Sequence, residues 1–335
     1  MTEAEIDALA RRLAVGERRA LARAITLAES TRPDHRAATR QLLQLIGRGG
    51  IGQAESGAIR IGLSGSPGVG KSTFIEAFGT MLVEQGLKVA VLAVDPSSAR
   101  SGGSILGDKT RMERLARSPN AFIRPSPSQA QLGGVGRRTR EAVRLVEAAG
   151  FDVVLVETVG VGQSEVMVAE MTDIFLLLLA PAGGDELQGV KRGIMEIADL
   201  VVVNKADGPL KPVAEGTRAD YAGALGLIRK RRRDPEGFPV ALTASALKGE
   251  GLAGIWDKIR ELDAWRRDSG WFSRRRAEQA VRWMRASVEH GVVEQLNAHP
   301  VVAARLPELE SQVAAGTLPP EDAADQVLAL FREGR

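Results

Sequence analysis

Gly65-Ser66-Pro67-Gly68-Val69-Gly70-Lys71-Ser72 fits the pattern G-x-x-x-x-G-K-[ST] at every fixed position. An apolar run, Ile61-Gly62-Leu63-Ser64, precedes it, and Thr73 to Glu84 follows with helical apolar spacing. The motif therefore stands between a predicted buried strand and a predicted helix, the setting in which its backbone cradles phosphate. Glycines at 65, 68 and 70 let the chain turn with its N–H groups inward, and the helix adds the positive end of its dipole. Ser66, Pro67 and Val69 complete the turn, and Thr73 opens the helix. Lys71 is expected to reach the β- and γ-phosphate oxygens, and Ser72 to place its hydroxyl on Mg²⁺.

Outward from this loop, short apolar runs alternate with longer amphipathic ones. Strands are predicted at Arg60–Ser64, Val89–Val94, Ala121–Arg124, Val153–Glu157, Ile174–Leu179, Leu200–Val203 and Val240–Thr243. The alternation predicts an α/β, doubly wound, mostly parallel sheet, whose ligands sit beyond the carboxyl ends of the strands.

Most loops at that edge carry chemistry. After the second strand come Asp95 and the Gly/Ser-rich stretch Ser101–Gly107, then Asp108, Lys109 and Arg111; carboxylates on a flexible segment beside a nucleotide suit a switch, a reading favoured over a solvated loop in which Asp108 merely caps a helix. The fourth strand ends in Glu157, with Gly160 three residues on; an acid there can hold Mg²⁺, and the glycine N–H can meet the γ-phosphate. The fifth strand leads into Ala180–Lys191, where Asp185, Glu186 and Gln188 fit either a second mobile loop or a plain helix start with Asp185 as its cap.

The sixth strand ends in Asn204-Lys205-Ala206-Asp207. Asp207 can accept from guanine N1–H and the N2 amino group, which adenine cannot offer in that geometry, while Asn204 braces the loop and the Lys205 stem covers the base. The seventh strand leads to Ser245-Ala246-Leu247, where a backbone N–H can meet guanine O6. Together with Glu157 and Gly160, the tetrapeptide favours GTP over ATP.

Residues 1–55 read as a helical extension beginning with a capping box at Thr2 and Glu5, residues 56–264 as the nucleotide-binding domain, and residues 265–335 as helices suited to dimerisation. Trp271, Trp283, Met284, Val288, Val292 and Leu296 mark an apolar stripe on one long helix of that last region. A homodimer is expected from such faces.

The 335 residues hold 45 basic and 42 acidic side chains, a net charge of +3, and no cysteine. That balance, with aromatics scarce, argues against a nucleic-acid binder, and the basic cluster Arg229–Arg233 reads as a solvated helix end. Disulfides and thiolate metal sites are excluded. The acidic N-terminus carries no leader pattern and no apolar run spans a bilayer, so a cytoplasmic protein without a membrane partner is expected.

The phosphate loop, Val94–Ser98, Gly103–Met112, Arg124-Pro125-Ser126, Glu157–Glu165, Gly184–Gly189 and Asn204–Asp207 together resemble the MeaB/ArgK family of P-loop GTPases, closest to the MeaB branch. The resemblance runs over nearly the whole chain. It implies a homodimeric GTPase that chaperones an adenosylcobalamin-dependent acyl-CoA mutase, above all methylmalonyl-CoA mutase, gating cofactor delivery and protecting the enzyme. By motif it assigns the first switch to the segment around Asp108, the second to Glu157–Gln163, and a third, coupled to the mutase, to Ala182–Lys191.

The chemistry expected is hydrolysis of GTP to GDP and phosphate by in-line attack of water, with Lys71 and Mg²⁺ neutralising charge and Asp95, Asp108 and Glu157 as candidate metal ligands or water-orienting groups. No Gln directly follows Gly160, so slow intrinsic turnover is expected, sped by a partner that orders Lys109, Arg111 or the third switch. Two rivals stand beside this: a small-molecule kinase linked to basic amino-acid transport, and a GTPase that inserts metal into another enzyme. The second would want a His or Cys cluster, and His35, His290 and His299 are scattered.

Overall fold

The structure, a computed structural model, describes residues 1–48, 57–94, 112–125, 132–158, 164–181, 192–227 and 234–333. The chain divides into two compact units, Met1–Ala277 and Glu278–Arg335.

The first unit is built on seven strands, β1 (Ile59–Gly65), β2 (Val89–Val94), β3 (Ala121–Arg124), β4 (Val153–Thr158), β5 (Ile174–Leu179), β6 (Leu200–Val203) and β7 (Val240–Thr243). Their order is β3-β2-β4-β1-β5-β6-β7, and every pairing is parallel. All seven predicted strands are present, β1 and β4 running slightly further than their apolar cores suggest. β1 lies at the centre, with Ile61 facing Leu155 on one side and Ile174 on the other. A strand with helices over both faces is buried along its whole length, which is why β1, β4 and β5 read as continuous apolar runs without alternation.

The helices of this unit are α1 (Glu3–Ala14), α2 (Arg18–Glu29), α3 (Pro33–Arg48), α4 (Lys71–Glu84), α5 (Glu113–Arg117), α6 (Leu132–Ala148), α7 (Ser164–Met171), α8 (Arg192–Ile197), α9 (Lys211–Leu227), α10 (Leu252–Asp268) and the start of α11 (Trp271–Ala298). The capping box opens α1: Glu5 N–H donates to Thr2 Oγ1 at 3.3 Å, and Thr2 N–H to Glu5 Oε2 at 2.8 Å. Leu9, Leu13, Leu21 and Ile25 bury the inner faces of α1 and α2. The extension is tied to the sheet by polar contacts as well: Arg124 Nε donates to Glu29 Oε1 at 2.8 Å, and Arg18 Nη1 to Ser118 O at 3.1 Å.

An ionic network closes the amino edge of the sheet, away from the phosphate loop. Arg266 on α10, 1% exposed, donates to Asp199 Oδ1 at 2.7 Å, to Asp234 Oδ1 at 2.6 Å and to Asp173 O at 2.6 Å. Burial works against this charge, but Asp199 and Asp234 outweigh it and hold the guanidinium above its ordinary range. Arg276 reaches Asp173 and Glu147, and Glu147 also takes Arg60 at the start of β1.

The second unit contains the remainder of α11 with α12 (Pro300–Ala314) and α13 (Pro320–Glu333). Val302, Leu309 and Ala323 are buried, and the His299 ring meets Phe331 edge-on with centroids 5.6 Å apart. Val281, Met284, Val288 and Val292 on α11 are exposed. Their spacing puts them on one helical face. The basic cluster 229–233 lies outside the described residues.

Candidate functional site

β1 ends at Gly65 inside the sheet, and α4 begins at Lys71 directly over it. A Cβ on Gly65 would lie 2.5 Å from the Leu178 carbonyl of β5. No side chain fits there. Gly68 and Gly70 both have positive φ, +82° and +92°, and a Cβ on Gly70 would lie 2.9 Å from Asn204 Nδ2. The turn that lifts the chain from strand to helix thus uses glycine's left-handed freedom twice, in close contact with the loop after β6.

Within this turn the Lys71 ammonium is folded back on its own loop, donating to Gly65 O at 2.6 Å and Ser66 O at 3.3 Å. Burial pushes it below the usual lysine range, while the charge of Glu157, and then that of Glu165, pulls it back up. Glu157 is 5% exposed and pairs across to Leu63 of β1 and Ala93 of β2. Next to it the Thr158 hydroxyl donates to Ser64 Oγ at 3.0 Å, both side chains buried.

Asn204 ties two loops together. Its Nδ2 donates to Val69 O at 3.0 Å, and its Oδ1 accepts the Ala246 N–H at 3.1 Å. Lys205, the only described non-glycine residue with positive φ, at +59°, sends its Nζ to Gly68 O at 2.7 Å. The Ser245 hydroxyl donates to Asp207 Oδ1 at 2.9 Å and accepts the Lys248 N–H at 3.2 Å. Leu247 is exposed at the tip of this turn. Ends of β1, β4, β6 and β7 thus converge at one edge, where Asn204 and Lys205 join the Asp-bearing loop to the phosphate loop and the charge of the buried Glu157 acts on Lys71.

Ser72 in the first turn of α4 and the Glu157 carboxylate supply hard oxygen donors, the class that Mg²⁺ takes alongside phosphates and water, so the residues present fit that ion. Among the described residues no group of three or more His, Cys, Asp or Glu side chains could hold a metal by itself. Asp95, Asp108, Lys109, Arg111, Gly160, Gln163, Asp185, Glu186, Gln188 and Lys191 lie outside the described residues. Glu165 has no role legible in the local sequence. Its acidic position in the first turn of α7 was the available signal, but such acids ordinarily serve the helix dipole. Among the described residues no helix is long and apolar enough to cross a membrane.

The family described as "Methylmalonyl Co-A mutase-associated GTPase MeaB" matches residues 21–301. The mouse "Methylmalonic aciduria type A homolog, mitochondrial" is 48% identical over 98% of this chain and 80% of its own length. "GTPase ArgK" of Escherichia coli is 49% identical over 89% of this chain and 88% of its own. Among solved structures, that of an "LAO/AO transport system kinase" superposes with a TM-score of 0.72 at 39% identity, covering 99% of both chains. Likeness of this extent makes the activity hydrolysis of GTP, and the chain belongs to the MeaB family of methylmalonyl Co-A mutase-associated GTPases.

Proposed function

We propose that this GTPase serves as a chaperone of an adenosylcobalamin-dependent acyl-CoA mutase, with methylmalonyl-CoA mutase the first candidate, and that it works as a homodimer in the cytoplasm. The family's description, mutase-associated, carries this reading, and the name of the mouse relative supports it. Nucleotide state would gate release of the cofactor into the mutase.

In the hydrolysis step the phosphate loop from Gly65 to Thr73 binds the triphosphate, and Lys71 leaves Gly65 O and Ser66 O for the β- and γ-phosphate oxygens. Asp207, held by Ser245, accepts from guanine, Asn204 keeps that loop registered on Val69, and a backbone N–H of the turn Ser245–Leu247 meets O6. Ser72 and Glu157 are the described residues that would hold Mg²⁺, which when bound neutralises the β- and γ-phosphate charge. Asp95 and Asp108 are proposed as further ligands or water-orienting groups, Gly160 as a γ-phosphate contact, and Lys109, Arg111, Gln163, Asp185, Glu186, Gln188 and Lys191 as switch residues coupling to the partner.

The test is steady-state GTP hydrolysis with and without the adenosylcobalamin-dependent mutase from the same source at saturating concentration. A large stimulation supports the reading. Unchanged, GTP-specific hydrolysis removes the mutase as client and leaves the GTPase. The kinase name carried by the solved structure at 39% identity offers a second reading, which predicts a phosphorylated small-molecule acceptor in the same assay.

A further inference from the structure

β1 pairs with β4 as far as Leu63 opposite Glu157, and there their ladder ends. Among the described residues each strand then continues only with its other neighbour: β1 with β5, Ser64 opposite Leu177 and Gly65 opposite Leu178, and β4 with β2, Thr158 opposite Val94. A gap thus opens between two adjacent parallel strands at their carboxyl ends, the edge where such sheets take ligands. The phosphate loop leaves from one side of it, and Glu157 stands at the end of the other.

Ser64 and Thr158 are the next residues on the two strands. Across the gap the Thr158 hydroxyl donates to Ser64 Oγ at 3.0 Å, with Leu63 O a longer alternative at 3.5 Å. Thr158 is 0% and Ser64 2% exposed, so neither can trade this bond for one to solvent. Side chains alternate along a strand, which puts the hydroxyl pair on the sheet face opposite to the one that Leu63 and Glu157 share. The preceding pair on that face is Gly62 and Val156, and Val168 of α7 closes over Gly62, where a Cβ would lie 2.9 Å from its Cγ1. In so apolar a setting two hydroxyls are costly unless they bond, and valine with alanine would fill the same place.

We infer that the Thr158–Ser64 bond is a tie across this gap that fixes the Glu157 carboxylate relative to the phosphate loop, making Thr158 a positioning residue for the acid that holds Mg²⁺. Thr158 shares a peptide unit with Glu157, so its side-chain bond anchors the main chain that carries the carboxylate. Ser64 shares one with Gly65, where the phosphate loop begins. Mg²⁺ takes its oxygens in near-ideal octahedral geometry, and a carboxylate free to drift serves it poorly. The inference rests on the reading of Glu157 as a Mg²⁺ ligand.

Isothermal titration calorimetry on the full-length chain measures the affinity for guanosine 5′-(β,γ-imido)triphosphate in Mg²⁺ and in EDTA. T158V keeps the shape and removes the tie; the gain in affinity that Mg²⁺ confers is expected to fall about fivefold, with the affinity in EDTA unchanged. T158S returns the hydroxyl and is expected to return the gain. A pair that served only the stability of the fold would leave the Mg²⁺ gain where it was. Should T158V not fold, T158V/S64A removes both partners at little cost in stability, and the gain is expected to stay low in it too. A gain equal to that of the unsubstituted chain in either folded variant, or one still low in T158S, overturns the role of the tie while leaving the GTPase intact. No Mg²⁺ gain in the unsubstituted chain overturns the reading of Glu157, and the inference with it.

Discussion

Asn204 Nδ2 lies 3.0 Å from Val69 O while its Oδ1 accepts the Ala246 N–H at 3.1 Å, so one buried amide joins the phosphate loop to the two loops that would read the base. Both ends of the side chain are used. Asn204→Ala removes two hydrogen bonds of about 1 kcal/mol each and frees the loops from each other, so GTP affinity is expected to fall about 30-fold. Equilibrium binding of a fluorescent GTP analogue checks this; an unchanged affinity would deny the bridge any part in the site.

Asp207→Asn exchanges an acceptor for a group that also donates. GTP affinity is expected to fall about 100-fold or more, with XTP gaining, because xanthine offers a carbonyl where guanine offers its amino group. Competition between the two nucleotides measures the switch. Retained GTP preference would mean that Asp207 serves only Ser245.

Gly65→Ala places a methyl 2.5 Å from the Leu178 carbonyl, and Gly70→Ala combines a φ of +92° with a contact at 2.9 Å to Asn204 Nδ2. Either change must move backbone or the Asn204 amide, so both variants are expected to lose GTP hydrolysis at least about tenfold. Full activity in Gly65→Ala would show that β1 and β5 can part at their carboxyl ends without cost.

Arg266→Met leaves the buried Asp199 and Asp234 carboxylates without their shared cation, and about 3–5 kcal/mol of stability is expected to go with it. The network lies at the amino edge of the sheet, so the KM for GTP should hold in whatever fraction remains folded. Urea denaturation and initial rates together decide it: a lost KM with stability kept would place Arg266 in communication with the site.

Met284 and Val288 are each 58% exposed on the same face of α11. If that face meets its copy in the proposed homodimer, Met284→Glu with Val288→Glu should shift the chain from a dimer to a 35.7 kDa monomer in light scattering. An unshifted mass would move the interface elsewhere.

The local order of residues was enough for much of this. Val, Ile and Leu runs of strand length alternating with helical spacing mark a parallel sheet covered on both faces, because only such a sheet buries strands on both sides, and all seven strands followed from it. The phosphate loop is equally legible, since its chemistry lies in the backbone freedom of Gly68 and Gly70 and in residues adjacent along the chain. The bond from Asn204 to Val69 spans 135 positions and that from Ser245 to Asp207 spans 38, and neither leaves a local pattern. The same holds for Arg266, an arginine among many in the sequence, whose burial follows from Asp199 and Asp234 closing on it from separate loops. Glu165 shows the division most sharply. Its chain neighbours make it a helix-start acid, and only the folded interior lets its charge act on Lys71, because an electrostatic partner is chosen by distance through the fold and not by separation along the chain.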